Sequence, residues 1–411
     1  MASAAAWERA MQVQDVILRA LSGQIHWFQA AEILQMTPRN LRRWRERYEQ
    51  WGYNGLIDRR RRPSQRRVPM AQVETVLRLY RERYVGFNAR HFHDIARREH
   101  GIGLSDSFVK QALQRAGLLP KRRARGRHRR RREPRACFGE MLHLDGSRHP
   151  WLALEPEARQ TLITIVDDAT SALLYAQLWA QETTRAVMSA LAHVLRTEGR
   201  PVALYTDRAG WAFFTPQAHG AVDRARVTQV GRALKQLGIT HIPAYSPQAR
   251  GRSERMNRTL QGRVVNELRL AGIRTVAAAN RYLQAQYLPQ HNAGFRRVPR
   301  DSATAFTPLG RVDLNAILCQ EDTRTVALDN TVLVGGRVLQ LQKQRGRRTC
   351  AGLEVLVRQH LDDTITLVRP PNQRLAFVEL ATRPAVGRPQ PRRYGHGRWP
   401  KALEDQVGSF L

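Results

Sequence analysis

Apolar positions over the first 57 residues recur at helical spacing. Trp7, Met11, Val16, Leu18 and Leu21 form a loose stripe, and Trp27, Phe28, Ile33 and Leu34 form a second. Thr37-Pro38 then offers a capping side chain with proline at the first helical position. The helix it opens, Arg39–Tyr48, sets arginines around Leu41 and Trp44. Two short helices with a tight turn, the second rich in arginine, predict a helix-turn-helix over residues 1–57. A second helical DNA-binding unit is expected over 70–120. Val73, Val76, Leu77 and Tyr80 mark its first helix, Arg90–His100 its next, and Ser105–Ala116 its last, with Ser105 as N-cap.

From Cys137 the pattern changes to alternating strands and helices. Strands are expected at Met141–Asp145, Thr161–Val166, Ala172–Trp179, Val202–Thr206 and Ile239–Ala244. Helices are expected at Thr183–Glu198, Val227–Leu237 and Gly251–Leu270, with a further helical stretch at Thr275–His291. The order βββαβαβα predicts an α/β domain over 136–300, a mixed sheet with helices on its faces. Short strands separated by Gly335-Gly336 and Asp362-Asp363 predict a small C-terminal β-barrel over 320–382, including a strand at Val326–Leu328. The tail, 383–411, is rich in Pro, Gly and Arg and is expected to be flexible and disordered.

Charge narrows the function. A net charge of +33 over 411 residues points to a polyanionic partner, above all nucleic acid. Residues 58–69 form a basic linker. In the arm at 121–135, nine of the twelve residues Lys121–Arg132 are Lys or Arg, so no core can form there and phosphate contact is expected. No apolar run approaches the roughly 20 residues that span a bilayer. Met1–Arg9 lacks the pattern of a secretion signal. Cys137, Cys319 and Cys350 are isolated, which fits a reducing, cytoplasmic setting and no disulfide framework. His91 and His93 have no cysteines near them and read as structural.

In so basic a chain, three carboxylates stand out: Asp145 in Met-Leu-His-Leu-Asp-Gly, Asp207 in Ala-Leu-Tyr-Thr-Asp-Arg, and Glu254 in Ser-Pro-Gln-Ala-Arg-Gly-Arg-Ser-Glu-Arg-Met-Asn. Two end or follow expected strands and the third opens the long helix. Carboxylates that gather in such a chain suit a hard divalent cation, which also takes a substrate phosphate. These motifs, in this element order, resemble the ribonuclease-H-like core of retroviral integrases and DDE transposases. The match covers about 136–299 and is similar to bacterial insertion-sequence transposases of the ISNCY type.

The resemblance implies an enzyme that binds the terminal inverted repeats of its own element, cleaves DNA and transfers the strand to target DNA. It also implies a homo-oligomer on paired ends and no membrane. Asp145, Asp207 and Glu254 would be the catalytic residues and ligands of two Mg²⁺ ions, with Mn²⁺ as a substitute. Arg250, Arg252, Arg255 and Arg258 are candidate phosphate contacts. Asn257 shares a helix face with Glu254 and would orient a carboxylate or touch DNA. Arg39, Asn40, Arg42 and Arg43 are placed to read bases, and Arg129, Arg130, Arg131 and Arg132 to track phosphates. The stretch from Asp207 to Glu254 is longer than in many integrases, and Ala209–Arg226 reads as an inserted loop. Its Trp211, Phe213 and Phe214 would stack on an unpaired base or pack on the core. Asp167-Asp168 reads as turn chemistry. Two other classes fit part of the sequence. One is a DNA-binding regulator with a relic core. The other is a nuclease for RNA–DNA hybrids, which would not need two helix-turn-helix units and a basic arm.

Overall fold

A computed structural model of the chain describes residues 4–57, 68–121, 133–217, 220–223, 225–245, 251–344 and 346–380. The candidate contacts Arg129, Arg130, Arg131, Arg132 and Arg250, and the tail from 383, lie outside the described residues. The chain divides into two compact units, residues 1–82 with 111–118, and residues 83–110 with 119–411.

In the first unit, α1 (Ala4–Leu21), α2 (Trp27–Ile33) and α3 (Pro38–Trp51) enclose Val13, Ile17, Ala30, Leu41 and Leu56. Thr37 caps α3 by accepting a bond from the Asn40 amide at 3.3 Å, with Pro38 at the first position as the sequence suggests. Because Leu41 is buried, its neighbours Arg39, Asn40, Arg42 and Arg43 all face solvent. α4 (Met70–Glu82) follows.

The second unit holds α5 (Ala89–His100), the start of α6 (Asp106–Arg115), and the α/β domain. Its strands are β1 (Met141–His149), β2 (Gln160–Asp167), β3 (Leu173–Trp179), β4 (Ala203–Thr206) and β5 (Thr240–Pro243), in sheet order β3-β2-β1-β4-β5. β1, β2 and β3 are antiparallel, while β4 and β5 run parallel to β1. The helices α7 (Thr184–Thr197), α8 (Gln229–Gln236) and α9 (Gly251–Leu270) fall where the periodicity put them. α10 (Val276–Tyr282), a π-helical turn (Leu283–Tyr287) and α11 (Leu288–Phe295) make up the further helical stretch.

Strand alternation sorts the side chains to two faces. Leu142, Leu144, Ile163 and Ile165 face one core with Val187, Leu191, Val230 and Leu234 from α7 and α8. Leu162, Val166 and Leu173 face the other with Leu260, Val264 and Leu268 from α9 and Leu283 and Tyr287 beyond it. α9 carries a second load on its outer side. Glu267 takes a hydrogen bond from buried His91 at 2.8 Å and one from the Tyr282 hydroxyl at 3.0 Å, and Arg263 pairs with Asp94 at 2.7 Å. α5 is thereby joined to the α/β domain.

The C-terminal region departs from the expected barrel. β6 (Gln320–Thr325), β9 (Glu354–Gln359), β10 (Ile365–Arg369) and β11 (Gln373–Leu375) form one sheet; β7 (Thr331–Val334), β8 (Arg337–Leu341) and β12 (Phe377–Leu380) form another. The two share a core of Val326, Val332, Leu339, Val355, Val357 and Leu367, but among the described residues no ladder joins their edges, so no closed barrel forms. The first strand is β6 and not Val326–Leu328: Val326 is a core residue beyond its end, and Leu328 is exposed. β6 is tied to α8, where Gln229 exchanges two hydrogen bonds with the Glu321 backbone and Arg232 meets the Glu321 carboxylate at 3.2 Å.

β3 is an edge of the sheet, with no strand on its outer side among the described residues. Two asparagines take the place of one. Asn292 accepts from the Leu173 amide and donates to its carbonyl at 2.8 and 2.9 Å, and Asn280 does the same at Leu178 at 2.7 and 2.9 Å. Such pairing satisfies the edge and blocks strand addition. Asn280→Leu or Asn292→Leu would strand one edge N–H and C=O. Each substitution is expected to cost about 1–3 kcal/mol in chemical denaturation. An unchanged midpoint would count against this role.

Candidate active site

Of the three sequence-predicted acids, Asp145 lies on β1, Asp207 just past β4, and Glu254 in the first turn of α9. Asp145 is a buried residue of β1, on the same strand face as His143 and Ser147. The β1–β4 register pairs Met141 with Ala203 and His143 with Tyr205. The paired register ends there, with the His143 and Tyr205 rings 5.1 Å apart. Asp145 lies two residues further along β1, and Asp207 two residues further along the other segment, just past β4. Asp207 follows the last residue of β4. Its Oδ1 accepts from the Ala209 amide at 3.1 Å, which turns the chain away from the sheet.

α9 lies along β1. Asn257 Nδ2 donates to Asp145 Oδ2 at 2.8 Å, and Gln261 Nε2 donates to Ser147 Oγ at 3.0 Å. A step of four on the helix thus matches a step of two on the strand. Glu254 lies in the first turn of α9, one turn before Asn257 and on its side of the helix, with its side chain exposed. A carboxylate at that position also suits the positive end of the helix dipole. Arg255 and Arg258 are exposed. Arg252 is not a plain surface charge, because its Nε pairs with Asp168 Oδ1 at 2.8 Å.

Asp167 and Asp168 divide into two roles. Asp167 behaves as turn chemistry: its Oδ2 accepts from the Thr170 amide and hydroxyl, both at 2.7 Å. Burial nonetheless pushes its pKa up. Asp168, fully buried, accepts from His143 Nε2 at 2.7 Å and from the Arg135 amide at 2.7 Å, besides Arg252. Burial opposes its charge, but the bonds from His143 and Arg135 and the Arg252 guanidinium outweigh it and hold its pKa at about 2.

The loop after Asp207 is anchored from the sheet's other face. Trp211 Nε1 donates to Glu182 Oε1 at 2.9 Å, and Trp211 packs on the α7–α8 core. Phe213 stacks on His241 with centroids 4.0 Å apart. Burial holds the His241 pKa at about 4, so that ring is neutral at physiological pH. Phe214 is partly exposed and covered by the Arg226 guanidinium at 4.6 Å. Of the three aromatics, two are therefore packed on the core. Glu182 carries no sequence signal that marks it, whereas His143 stands at a strand period of two from Asp145.

Among the described residues, no three His, Cys, Asp or Glu side chains are grouped closely enough to hold a metal ion. The donor chemistry still fits a hard divalent cation. Carboxylate oxygens are its preferred ligands, Asp145 lies on β1 and Asp207 just past the end of the neighbouring β4, and Asn257, which bonds Asp145, has a buried Oδ1 acceptor with no partner among the described residues.

Gly146, next to Asp145, tests how closely the loop anchor approaches the strand. A Cβ there would stand 2.3 Å from Glu182 Oε2. A Cβ there would displace the Glu182 carboxylate, so Gly146→Ala is expected to weaken the Trp211 hydrogen bond and cost about 1 kcal/mol or more. Limited proteolysis should cut faster at Arg208, while an unchanged rate would place the anchor elsewhere.

A helix-turn-helix domain model matches residues 14–64, and a homeodomain-like domain model matches residues 40–113. The chain is 29% identical over 358 residues to a putative transposase, y4bF, of Sinorhizobium fredii (strain NBRC 101917 / NGR234), covering 86% of this chain and 78% of that one. It is 31% identical over 245 residues to the transposase for insertion sequence IS1202 of Streptococcus pneumoniae, covering 50% of this chain and 51% of that protein. Among solved structures, the HTLV-2 integrase catalytic core domain in complex with magnesium aligns with 36% of this chain and 87% of its own, at 16% identity and a TM-score of 0.28. No helix among the described residues is long and apolar enough to cross a membrane. In sequence the chain is thus similar to these two transposases, and its N-terminal region matches helix-turn-helix and homeodomain-like domain models.

Proposed function

We propose that the chain acts on the ends of its own insertion sequence, cleaving DNA and joining the freed end to target DNA at a site built from Asp145, Asp207 and Glu254. The observation that carries this reading is the meeting of β1, β4 and α9. Asn257 of α9 bonds Asp145, β4 pairs with β1 and ends just before Asp207, and Glu254 lies one turn back from Asn257 on α9. The three carboxylates would hold divalent cations, two Mg²⁺ or Mn²⁺ ions on the resemblance to integrases. Such ions supply Lewis-acid stabilisation of the charge that develops on the phosphate under attack.

The chain's own residues supply orientation. Asn257 fixes the direction of the Asp145 carboxylate and the Ala209 amide that of Asp207, while Glu254 stands exposed in the first turn of α9. Exposed Arg255 and Arg258, together with Arg250, would draw DNA phosphates toward the acids, whereas Arg252 is engaged with Asp168. No protein nucleophile is required, because water and a DNA 3′-hydroxyl serve in turn. α3 would read the element's ends in the major groove, Arg129, Arg130, Arg131 and Arg132 would follow the backbone, and a homo-oligomer would pair two ends.

Asp145→Asn, Asp207→Asn and Glu254→Gln should each reduce Mg²⁺-dependent end cleavage and strand transfer to background while leaving end-DNA affinity intact. Cleavage retained by any one variant removes that residue from the site. For the reader helix, Arg42→Ala with Arg43→Ala should lose about 1–3 kcal/mol of discrimination per base contact between the element's ends and random DNA. Equal weakening on both DNAs in a competition assay would mean that these arginines touch only phosphate.

A further inference from the structure

The buried carboxylate of Asp168 lies between the two elements that bring the acids together. From β1 it takes His143, two residues before Asp145 on the same strand face. From α9 it takes Arg252, two residues before Glu254. Its second oxygen takes the Arg135 amide, from the segment by which the chain enters the α/β domain after the basic arm. The residue itself sits on the β2–β3 turn, which Asp167 locks through Thr170. One side chain thus ties β1, α9 and the entering segment to a rigid turn.

We propose that Asp168 is a positioning residue for the site: through His143 and Arg252 it sets where the start of α9, and so Glu254, stands relative to Asp145. This rests on the reading of Asp145 and Glu254 as cation ligands. The charge of Asp168 matters as well as its shape. Guanidinium and imidazole donors on two elements converge on one carboxylate oxygen and the Arg135 amide donates to the other, so an amide in its place keeps one neutral acceptor oxygen and sets a donor group against one of these donors. Without the tie, Asp145 stays fixed in its strand, but the first turn of α9 loses its anchor to β1. The ligands are then present in composition and displaced in space. Partners that orient metal ligands from behind typically contribute about 10–100-fold to metal affinity or activity.

The test uses the full chain, with Mn²⁺ as the probe and its binding followed by electron paramagnetic resonance. Asp168→Asn should weaken Mn²⁺ binding about tenfold or more, and raise by the same factor the Mn²⁺ concentration that half-saturates end cleavage. End-DNA affinity should hold. A residue that served only folding would lower the active fraction and leave the half-saturating concentration where it was, an outcome that overturns the proposal. Arg252→Gln, which cuts only the α9 leg at a partly exposed side chain, should show the same loss to a smaller degree. It carries the test if Asp168→Asn fails to fold, and unchanged Mn²⁺ affinity in it then overturns the proposal. The double variant should bind Mn²⁺ no worse than Asp168→Asn alone, since both changes remove one tie; losses that multiply overturn it. A wild-type chain that binds no Mn²⁺, or an Asp145→Asn chain that binds it as wild type does, overturns the ligand reading and this proposal with it. Binding lost in Asp145→Asn but kept in Asp168→Asn overturns this proposal alone.

Discussion

The burial of one stripe on α9 governs the rest of the α/β domain. Leu260, Val264 and Leu268 are fully buried against Leu162, Val166 and Leu173 of the sheet. Each such side chain contributes about 1.5–3 kcal/mol when taken out of water, enough to hold the helix to a single rotation. That rotation turns Asn257 and Gln261 onto β1, carries Arg252 to Asp168, and leaves Arg255 and Arg258 in solvent. It also turns Arg263 and Glu267 toward α5, where they meet Asp94 and His91. A helix that serves the site at one end and receives another helix at the other has little freedom to roll without breaking buried polar pairs, which are costly to leave unmet.

Electrostatics imposes the second constraint. With 68 basic and 35 acidic residues, the chain has far more cations than carboxylates to match them. Buried acids here are matched with care. Glu321 receives Arg232 and Arg358, and Asp168 receives Arg252 and His143. Asp145 accepts a hydrogen bond from the Asn257 amide of α9.

Much of the core was legible because its signals are local. β-branched runs marked β2, helical spacing marked α7 and α9, and the bounds read for α9, Gly251 to Leu270, are those it adopts. Signals failed where a strand is defined by pairing alone. β6 is polar and mostly exposed, and becomes a strand only through its ladder with β9. The open pair of C-terminal sheets was misread for a related reason, because barrel closure depends on which edges meet and not on how many strands the chain can form. Trp211 and Phe213 posed another limit: an aromatic cluster in a loop reads the same whether it stacks on a base or on the core.

By itself the sequence determined strand parity and helix spacing. These put Asp145 on the face of His143, set Glu254 one turn from Asn257, and placed arginines around a buried Leu41. The tertiary structure alone decided the partners: that Arg252 turns inward to Asp168, that the two adjacent acids of the β2–β3 turn have different work, and that His91 meets Glu267, 176 residues away. Periodicity is a property of neighbouring residues along the chain and can be read there. Desolvation, which gives a buried charge its demand for a partner, exists only once distant segments have packed around it.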